Sequence, residues 1–174
     1  MSRKCTEISS IPEKVNEGCD VLGCMYCEKN NSTRDKALMR ITELKSSVLY
    51  LCRNQAHPGH CVLALKEHIP SLQECTEQQK ADVSADLGMM TGLIRKIAGS
   101  SCLAVTAAVN RDTADHLHYH ILPQYAGEDD PLSGEDPDPV FPKEEECAEM
   151  AEMFRVLIQQ EIQKTAGQES KSAE

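Results

Sequence analysis

The sequence contains no tryptophan and only two phenylalanines among its 174 residues. Since aromatic side chains supply much of the buried area in most cores, this core has to be built from Leu, Ile, Val, Ala and Met. No uninterrupted apolar stretch approaches the roughly 20 residues that a membrane-spanning helix needs, and the opening residues Met1 to Cys5 begin no signal-peptide core. We therefore expect no membrane partner and a cytoplasmic location.

The charge balance is strongly acidic, with a formal net charge of −10. A nucleic-acid-binding protein normally presents a basic face, so we expect no nucleic-acid partner. Nine cysteines would suit a secreted disulfide protein, but the number is odd and Cys52, Cys61 and Cys102 lie in segments that read as strands. Reduced thiols, two of them available for a metal ion, fit this pattern better.

A chain of this length is typical of a single domain with a sizeable core. The composition divides it into a flexible N-terminal arm at residues 1–18, one domain at residues 19–165 and a frayed tail at residues 166–174. Within the domain, the acidic and proline-rich passage at about residues 127–142 is predicted to be a solvated loop.

Five strands and two helices are predicted in this domain. The strands are expected at Ala37–Glu43, Ser47–Cys52, His60–Lys66, Cys102–Val109 and on the histidine-rich segment that follows, and the polar run Lys29–Thr33 is expected to be a loop. Thr76 and Gln79 form a capping-box pattern that starts a long helix, and Gly99 ends it. Its apolar stripe is expected in the core: Val83, Leu87, Met90, Ile94 and Ile97. A last helix is expected at about Lys143–Lys164, with Cys147, Met150, Phe154 and Leu157 on one face. This order predicts an α+β fold with an antiparallel sheet.

Three histidines alternate with apolar residues in the segment His116-Leu117-His118-Tyr119-His120-Ile121-Leu122. On a strand, side chains two residues apart point to the same face, about 6.6 to 6.8 Å apart. We therefore expect the three imidazoles on one face and the intervening apolar side chains in the core. Because imidazole titrates near neutral pH, such a row can supply a nucleophile, an acid and a base. The alternatives are a histidine-rich strand edge and a fortuitous metal patch.

This histidine pattern, followed by Pro123 and Tyr125, resembles the signature of the histidine triad (HIT) family. Upstream, Gly59–Ile69 is similar to that family's Gly-His, apolar strand and Pro-Lys-x-His-Ile segment, and Cys24-Met25-Tyr26-Cys27 is similar to the Cys-x-x-Cys of many bacterial members. The resemblance covers roughly residues 24–125. It implies a HIT-like fold, in which an antiparallel sheet of about five strands packs against a long central helix and a C-terminal helix, often as a homodimer.

The resemblance also implies an activity at the α-phosphate of a small-molecule nucleotide. His118 would be the nucleophile that becomes covalently nucleotidylated, and His120 would contact the phosphate and protonate the leaving group. His60 would be a secondary phosphate contact, although a strand-start histidine bonded to a loop is an equally good interpretation of that residue alone. One branch of the family, the transferases, carries glutamine where His120 stands, so hydrolysis of a nucleoside phosphoramidate or dinucleoside polyphosphate is expected here.

Two positions depart from the family pattern. The chain has no Gly-Gln or Gly-Asn shortly before the histidines, and Gln124 stands where an arginine is usual. Asn110 and Thr113 are the candidates for the missing phosphate hydrogen bonds, and Arg111 is the candidate for the missing charge.

Cys24 and Cys27 have the spacing of one corner of a tetrahedral zinc site. The resemblance to the zinc-containing members implies that His68 and His116 complete a structural Zn²⁺ site. Cys19 is a competing ligand, and ordinary thiols are the alternative to a metal site. Two other functions stay open at this point: a non-catalytic nucleotide-binding protein with this fold, and a zinc- or redox-handling protein in which the histidines only bind metal.

Overall fold

The computed structural model describes residues 23–28, 31–108, 116–127 and 137–169, with side chains up to residue 164. The predicted N-terminal arm and most of the predicted acidic loop lie outside these ranges. So do four candidate residues from the sequence, namely Cys19, Asn110, Arg111 and Thr113.

The described chain forms three helices and five strands. In chain order they are α1 (Ser32–Ala37), β1 (Leu38–Glu43), β2 (Ser47–Cys52), β3 (Cys61–Leu65), α2 (Glu77–Ala98), β4 (Cys102–Ala108), β5 (His118–Gln124) and α3 (Glu144–Glu169). The strands form one sheet in the order β1-β2-β3-β5-β4, and every neighbouring pair is antiparallel. The predicted α+β fold with a five-stranded antiparallel sheet is confirmed.

The main core lies between one face of this sheet and the two long helices. Strand alternation sends Leu49, Leu51 and Leu63 into it, and α2 and α3 supply the opposing side chains Val83, Met90, Ile94, Phe154 and Ile158. Burying aliphatic side chains of this kind stabilises the fold by about 1.5–3 kcal/mol each. The helices therefore cover one face of the sheet, and the histidines of β5 lie on the other.

The ends of α2 follow the sequence signals. Thr76 and Gln79 form the predicted capping box, and Gly99 ends the helix at a φ of 63°, in the left-handed region that glycine adopts without strain. The predicted apolar stripe is also confirmed, with Val83, Met90 and Ile94 buried.

Three sequence predictions need correction. Ser32 and Thr33, which were predicted to lie in a loop, form the start of α1. The Asn31 side chain accepts a hydrogen bond from the backbone N–H of Arg34 and so caps this helix. The C-terminal helix continues to Glu169, five residues past its predicted end. Its core face carries the fully buried Ile158, whereas Leu157 is only partly buried.

Among the described residues, no helix combines the length and apolarity that a bilayer crossing requires.

Candidate functional site

The three histidines of the alternating segment lie together on the sheet face that the helices leave open. His116 lies two residues before the start of β5, and His118 and His120 lie within it, with the ring centroids of the last two 5.3 Å apart. Leu117, Tyr119 and Ile121 are buried in the main core on the other face. Strand periodicity alone therefore sets which side chains face the site, as predicted.

His118 is held in one tautomer. Its Nδ1 lies 2.7 Å from the carbonyl oxygen of His116, and a carbonyl can only accept, so Nδ1 carries the hydrogen. Burial lowers the pKa of His118 below its ordinary value, which keeps the ring neutral. The Nε2 atom of His118 consequently has a free lone pair directed away from its own backbone, which is the form a nucleophilic imidazole requires.

His60 forms a pair with His120 across the neighbouring strands. His60 Nε2 lies 2.8 Å from His120 Nδ1, so one ring donates a hydrogen bond to the other. Burial, together with the nearness of another imidazole, lowers the pKa of both rings to about 4. Both rings are therefore neutral at physiological pH, and the hydrogen of one of them lies in the bond between them.

A second cluster lies beside the histidine row and joins three segments of the chain. Cys24, Cys27, His68 and His116 each direct one donor atom inward, and these four atoms lie within 4.8 Å of one another. His116 Nε2 donates to the carbonyl of Leu65 at 2.8 Å, which leaves Nδ1 unprotonated and directed at the cluster. The expected ligand set is thus brought together.

Four of the six distances within this cluster match the edges of a tetrahedral zinc site. Zinc–sulfur bonds of about 2.3 Å and zinc–nitrogen bonds of about 2.0–2.1 Å give edges of about 3.5 Å between S and N and about 3.4 Å between two N atoms. The Nδ1 of His116 lies 3.5 Å from Cys24 Sγ, 3.4 Å from Cys27 Sγ and 3.4 Å from the Nδ1 of His68. The Cys27 Sγ to His68 Nδ1 distance is 3.3 Å. A Zn²⁺ ion would fit this donor set with little rearrangement.

The turn that carries both cysteines is fixed by its own hydrogen bonds. The carbonyl of Cys24 accepts from the backbone N–H groups of Cys27 and Glu28, each at 3.2 Å. The Glu28 carboxylate accepts from the N–H of Gly23 at 2.8 Å, and Arg34 donates to the Glu28 carbonyl at 2.8 Å. We call this turn, residues 23–28, the cysteine turn. Arg34 therefore links the cysteine turn to α1.

Tyr26 is a residue of this site that sequence reasoning missed. It lies between the two cysteines, and its ring centroid is 5.0 Å from those of both His116 and His118. Burial raises the pKa of its hydroxyl, so the phenol stays neutral. The only signal in the sequence was its position inside Cys-x-x-Cys, which indicates nearness to a metal but not to the nucleophile.

Of the residues at which the sequence departs from the family pattern, the structure describes only Gln124. Asn110, Arg111 and Thr113 lie outside the described residues. Gln124 is the last residue of the inner strand β5, and the thiol of Cys102 on β4 lies 2.7 Å from its Oε1 atom. Gln124 therefore contacts the neighbouring edge strand.

No protein-family model and no curated protein matches this sequence, but many solved structures share its architecture. A histidine triad protein from Marinobacter aquaeolei VT8 superposes with a TM-score of 0.63 at 20% identity, covering 74% of this chain and 93% of that one. The chain has the histidine triad fold.

Two further structures with the histidine triad fold are relevant to the two clusters. A Zn-bound histidine triad family protein from Mycobacterium smegmatis has a TM-score of 0.54 at 19% identity, over 74% of this chain and 88% of that one. A Plasmodium falciparum diadenosine triphosphate hydrolase, solved with cyclomarin A, has a TM-score of 0.56 at 14% identity, covering 70% of this chain and 76% of that one. At these identities the likeness establishes the fold alone.

Proposed function

We propose that this protein hydrolyses a nucleotide at its α-phosphate through a covalent intermediate on His118. The observation that carries the proposal is the hydrogen bond from His118 Nδ1 to the His116 carbonyl, which leaves Nε2 unprotonated on the sheet face opposite the two long helices. The substrate class would be a nucleoside phosphoramidate or a dinucleoside polyphosphate. The diadenosine triphosphate hydrolase with this fold supports the second class.

The proposed reaction has two displacements at phosphorus. Once the anionic phosphate is bound, His120 takes up a proton from solvent. His118 Nε2 attacks the α-phosphorus, an N–P bond forms, and the bond to the leaving amine or phosphate breaks while the His120 imidazolium protonates that group. Water then attacks the same phosphorus and gives a proton back to His120, the N–P bond breaks, and His118 is released as neutral imidazole. His60 is close enough to His120 to steady it and to contact the phosphate.

We further propose a structural Zn²⁺ ion on Cys24, Cys27, His68 and His116. When bound, it would tie the cysteine turn to β5. Four protein donors would fill a tetrahedral site and keep no position for water, so the metal would not activate a nucleophile.

A homodimer is proposed from the open edge of the sheet. At the β1 edge, Arg155 of α3 donates to the carbonyls of Arg40 and Ile41. The opposite edge strand, β4, has no charged residue and no proline, and Val105 on it is exposed. Such an edge is a template for pairing with another strand.

The homodimer is tested by light scattering after gel filtration, which should give twice the chain mass. Val105→Lys should lower the measured mass towards that of one chain. A wild-type monomer would refute this arrangement.

The nucleophile is tested by replacing His118. His118→Ala should retain binding of a nucleoside monophosphate while turnover of an adenosine phosphoramidate or diadenosine polyphosphate falls by about five orders of magnitude or more. Mass spectrometry of rapidly quenched wild-type protein should show a nucleotidyl adduct on the peptide containing residue 118. His118→Gly should regain activity when imidazole is added.

The matched control is His57→Ala, since His57 lies on the preceding loop and outside the proposed machinery. Retention of more than a few per cent of wild-type kcat by His118→Ala, with chemistry rate-limiting, would exclude the covalent route. Tight nucleotide binding without turnover by the wild type would favour the non-catalytic alternative. A nucleotidyl group passed to an added phosphate acceptor in preference to water would favour a transferase.

A further inference from the structure

The side chain of Tyr26 lies between the candidate metal ligand and the candidate nucleophile. Its ring centroid is 5.0 Å from that of His116 and 5.0 Å from that of His118, and the ring planes are tilted by 37° and 38°. Aromatic rings at these separations are in packing contact. One side chain of the cysteine turn therefore touches both histidines.

The Tyr26 ring is held from behind by the sheet. It packs against a buried apolar cluster on the sheet face opposite the two long helices, whose members are Leu38, Tyr50, Val62 and Ala64. The centroids of the Tyr26 and Tyr50 rings are 6.3 Å apart, with an angle of 55° between their planes. The hydrogen bonds within the cysteine turn fix the backbone of Tyr26, so both ends of the side chain are held in place.

His118 has small neighbours on both adjacent strands. It pairs with Ala64 of β3 and with Ala108 of β4, and directly paired residues extend their side chains to the same face of a sheet. A methyl group is too short to restrict the rotation of an imidazole. Within the described residues, the rings packed against His118 are those of Tyr26 and of His120, whose centroid is 5.3 Å away. Tyr26 therefore forms one wall of the space in which the His118 ring lies.

The orientation of the His118 ring determines which of its nitrogens carries the hydrogen. The hydrogen bond from Nδ1 to the carbonyl of His116, at 2.7 Å, forms in one orientation of the ring. If the ring turned about its side-chain bonds, Nδ1 would lose the carbonyl, and the hydrogen could then lie on either nitrogen. A hydrogen on Nε2 would occupy the lone pair that attack at phosphorus requires.

We propose that Tyr26 is a positioning residue, which packs against His118 and holds its ring in the orientation in which Nδ1 bonds to the His116 carbonyl and Nε2 is free. This inference rests on the proposed function and refines how the nucleophile is prepared. Tyr26 lies between Cys24 and Cys27, so the same turn that supplies two candidate metal ligands also supplies this wall.

The test compares variants of Tyr26 in zinc-loaded protein. Tyr26→Phe keeps the ring, Tyr26→Leu keeps an apolar side chain without a flat ring, and Tyr26→Ala removes the wall. Leu38→Ala is the matched control, because it truncates a member of the same apolar cluster on β1, which β2 and β3 separate from β5. Zinc content and Tm are measured for each protein, and Tyr26→Leu decides the test if Tyr26→Ala does not fold.

Nitrogen-15 NMR of the histidine rings reads the tautomers without a substrate, at about pH 8, where unperturbed imidazoles are neutral. In the wild type, Tyr26→Phe and Leu38→Ala, the hydrogen of His118 should lie on Nδ1. Tyr26→Ala and Tyr26→Leu should give a mixture of both tautomers at His118. The tautomer of His116 should stay unchanged in all variants, because the Leu65 carbonyl fixes it independently of Tyr26.

Kinetics give the second readout. Tyr26→Ala should lower kcat by about 10- to 100-fold with KM changed less than about threefold, because it misplaces a reacting group. Tyr26→Phe should restore most of that loss.

Three results would overturn the proposal. In the first, the His118 tautomer is unchanged in both Tyr26→Ala and Tyr26→Leu. In the second, the tautomers of His116 and His118 change together, which indicates general loosening of the site. In the third, KM rises while kcat is retained, which makes Tyr26 a substrate contact. If the tautomers behave as expected but the wild type turns over no nucleotide, the proposed function fails and the positioning role stands.

Discussion

Removing one ligand of the four-residue cluster should destabilise the fold by an amount that can be estimated. The donor atoms already lie at tetrahedral spacings, so binding requires little rearrangement and should be tight. With free zinc at about a thousand times its dissociation constant, binding to the folded state alone adds about 4 kcal/mol. For a domain of this size, 1 kcal/mol corresponds to roughly 2–4 °C in Tm, so Cys27→Ser should lower Tm by roughly 8–16 °C.

The measurement combines thermal unfolding with zinc analysis of protein purified without chelator. The wild type should carry about one zinc per chain, and chelation should lower its Tm by the same amount as the Cys27→Ser substitution. Added zinc should not restore the Tm of Cys27→Ser. Cys102→Ser is the matched control, because that thiol is exposed and distant from the cluster. His116→Ala should be worse than Cys27→Ser, since it also removes the hydrogen bond to the Leu65 carbonyl and disturbs the segment before the nucleophile.

Activity per folded molecule separates a structural metal from a catalytic one. Loss of the ion should loosen the cysteine turn and with it Tyr26, whose ring contacts His118, so a partial loss of turnover is expected. A Cys27→Ser protein that melts like the wild type yet has no turnover would refute the reasoning. In that case the metal, or the cysteine itself, would belong to the reaction.

Two other predictions concern buried polar groups. Burial holds the pKa of His60 and His120 at about 4 in the folded chain. Between pH 6.5 and pH 4 the unfolded chain therefore binds protons that the folded chain does not. The free energy of unfolding is consequently highest above pH 6.5 and falls as the pH is lowered towards 4. Urea unfolding should show this decline, at up to about 1.4 kcal/mol per pH unit for each ring. A double variant with His60→Gln and His120→Gln should show a shallower dependence on pH. An equal slope in the two proteins would contradict the prediction. The buried carboxylate of Asp86 accepts from the hydroxyls of Ser46 and Ser47 and from one backbone N–H, so Asp86→Ala should cost about 3 kcal/mol in urea unfolding, and a loss below about 1 kcal/mol would contradict that role.

The sequence predicted those parts of the fold that depend on local periodicity and capping. Alternation on β5 determined which histidines share a face, and the capping box located the start of α2. The short helix α1 was missed because its cap, Asn31, stands in a run of polar residues that is equally typical of a loop. The prediction placed Leu157 on the core face of α3, where the structure has Ile158. Both residues are apolar, so only packing against the sheet decides between them.

The parts of the site that sequence reasoning missed depend on contacts that leave no pattern in the sequence. The ring of Tyr26 lies against His116 and His118, which are far from it along the chain. Arg34 is close to the cysteine turn along the chain, but its guanidinium binds backbone carbonyls, which every residue carries. The fold brings these groups together, so no local propensity could have predicted them.

His116 and His118 have opposite tautomers, although they lie two residues apart and on the same face. The strand geometry explains this difference: the carbonyl of Leu65 on the neighbouring chain segment meets Nε2 of His116, whereas the carbonyl of His116 itself meets Nδ1 of His118. The first arrangement frees Nδ1 for a metal, and the second frees Nε2 for attack at phosphorus. Two backbone carbonyls thus divide one repeated residue type into a ligand and a nucleophile. The carbonyl that orients His118 belongs to the same chain segment and moves with it, whereas the carbonyl that orients His116 depends on how β5 pairs with β3.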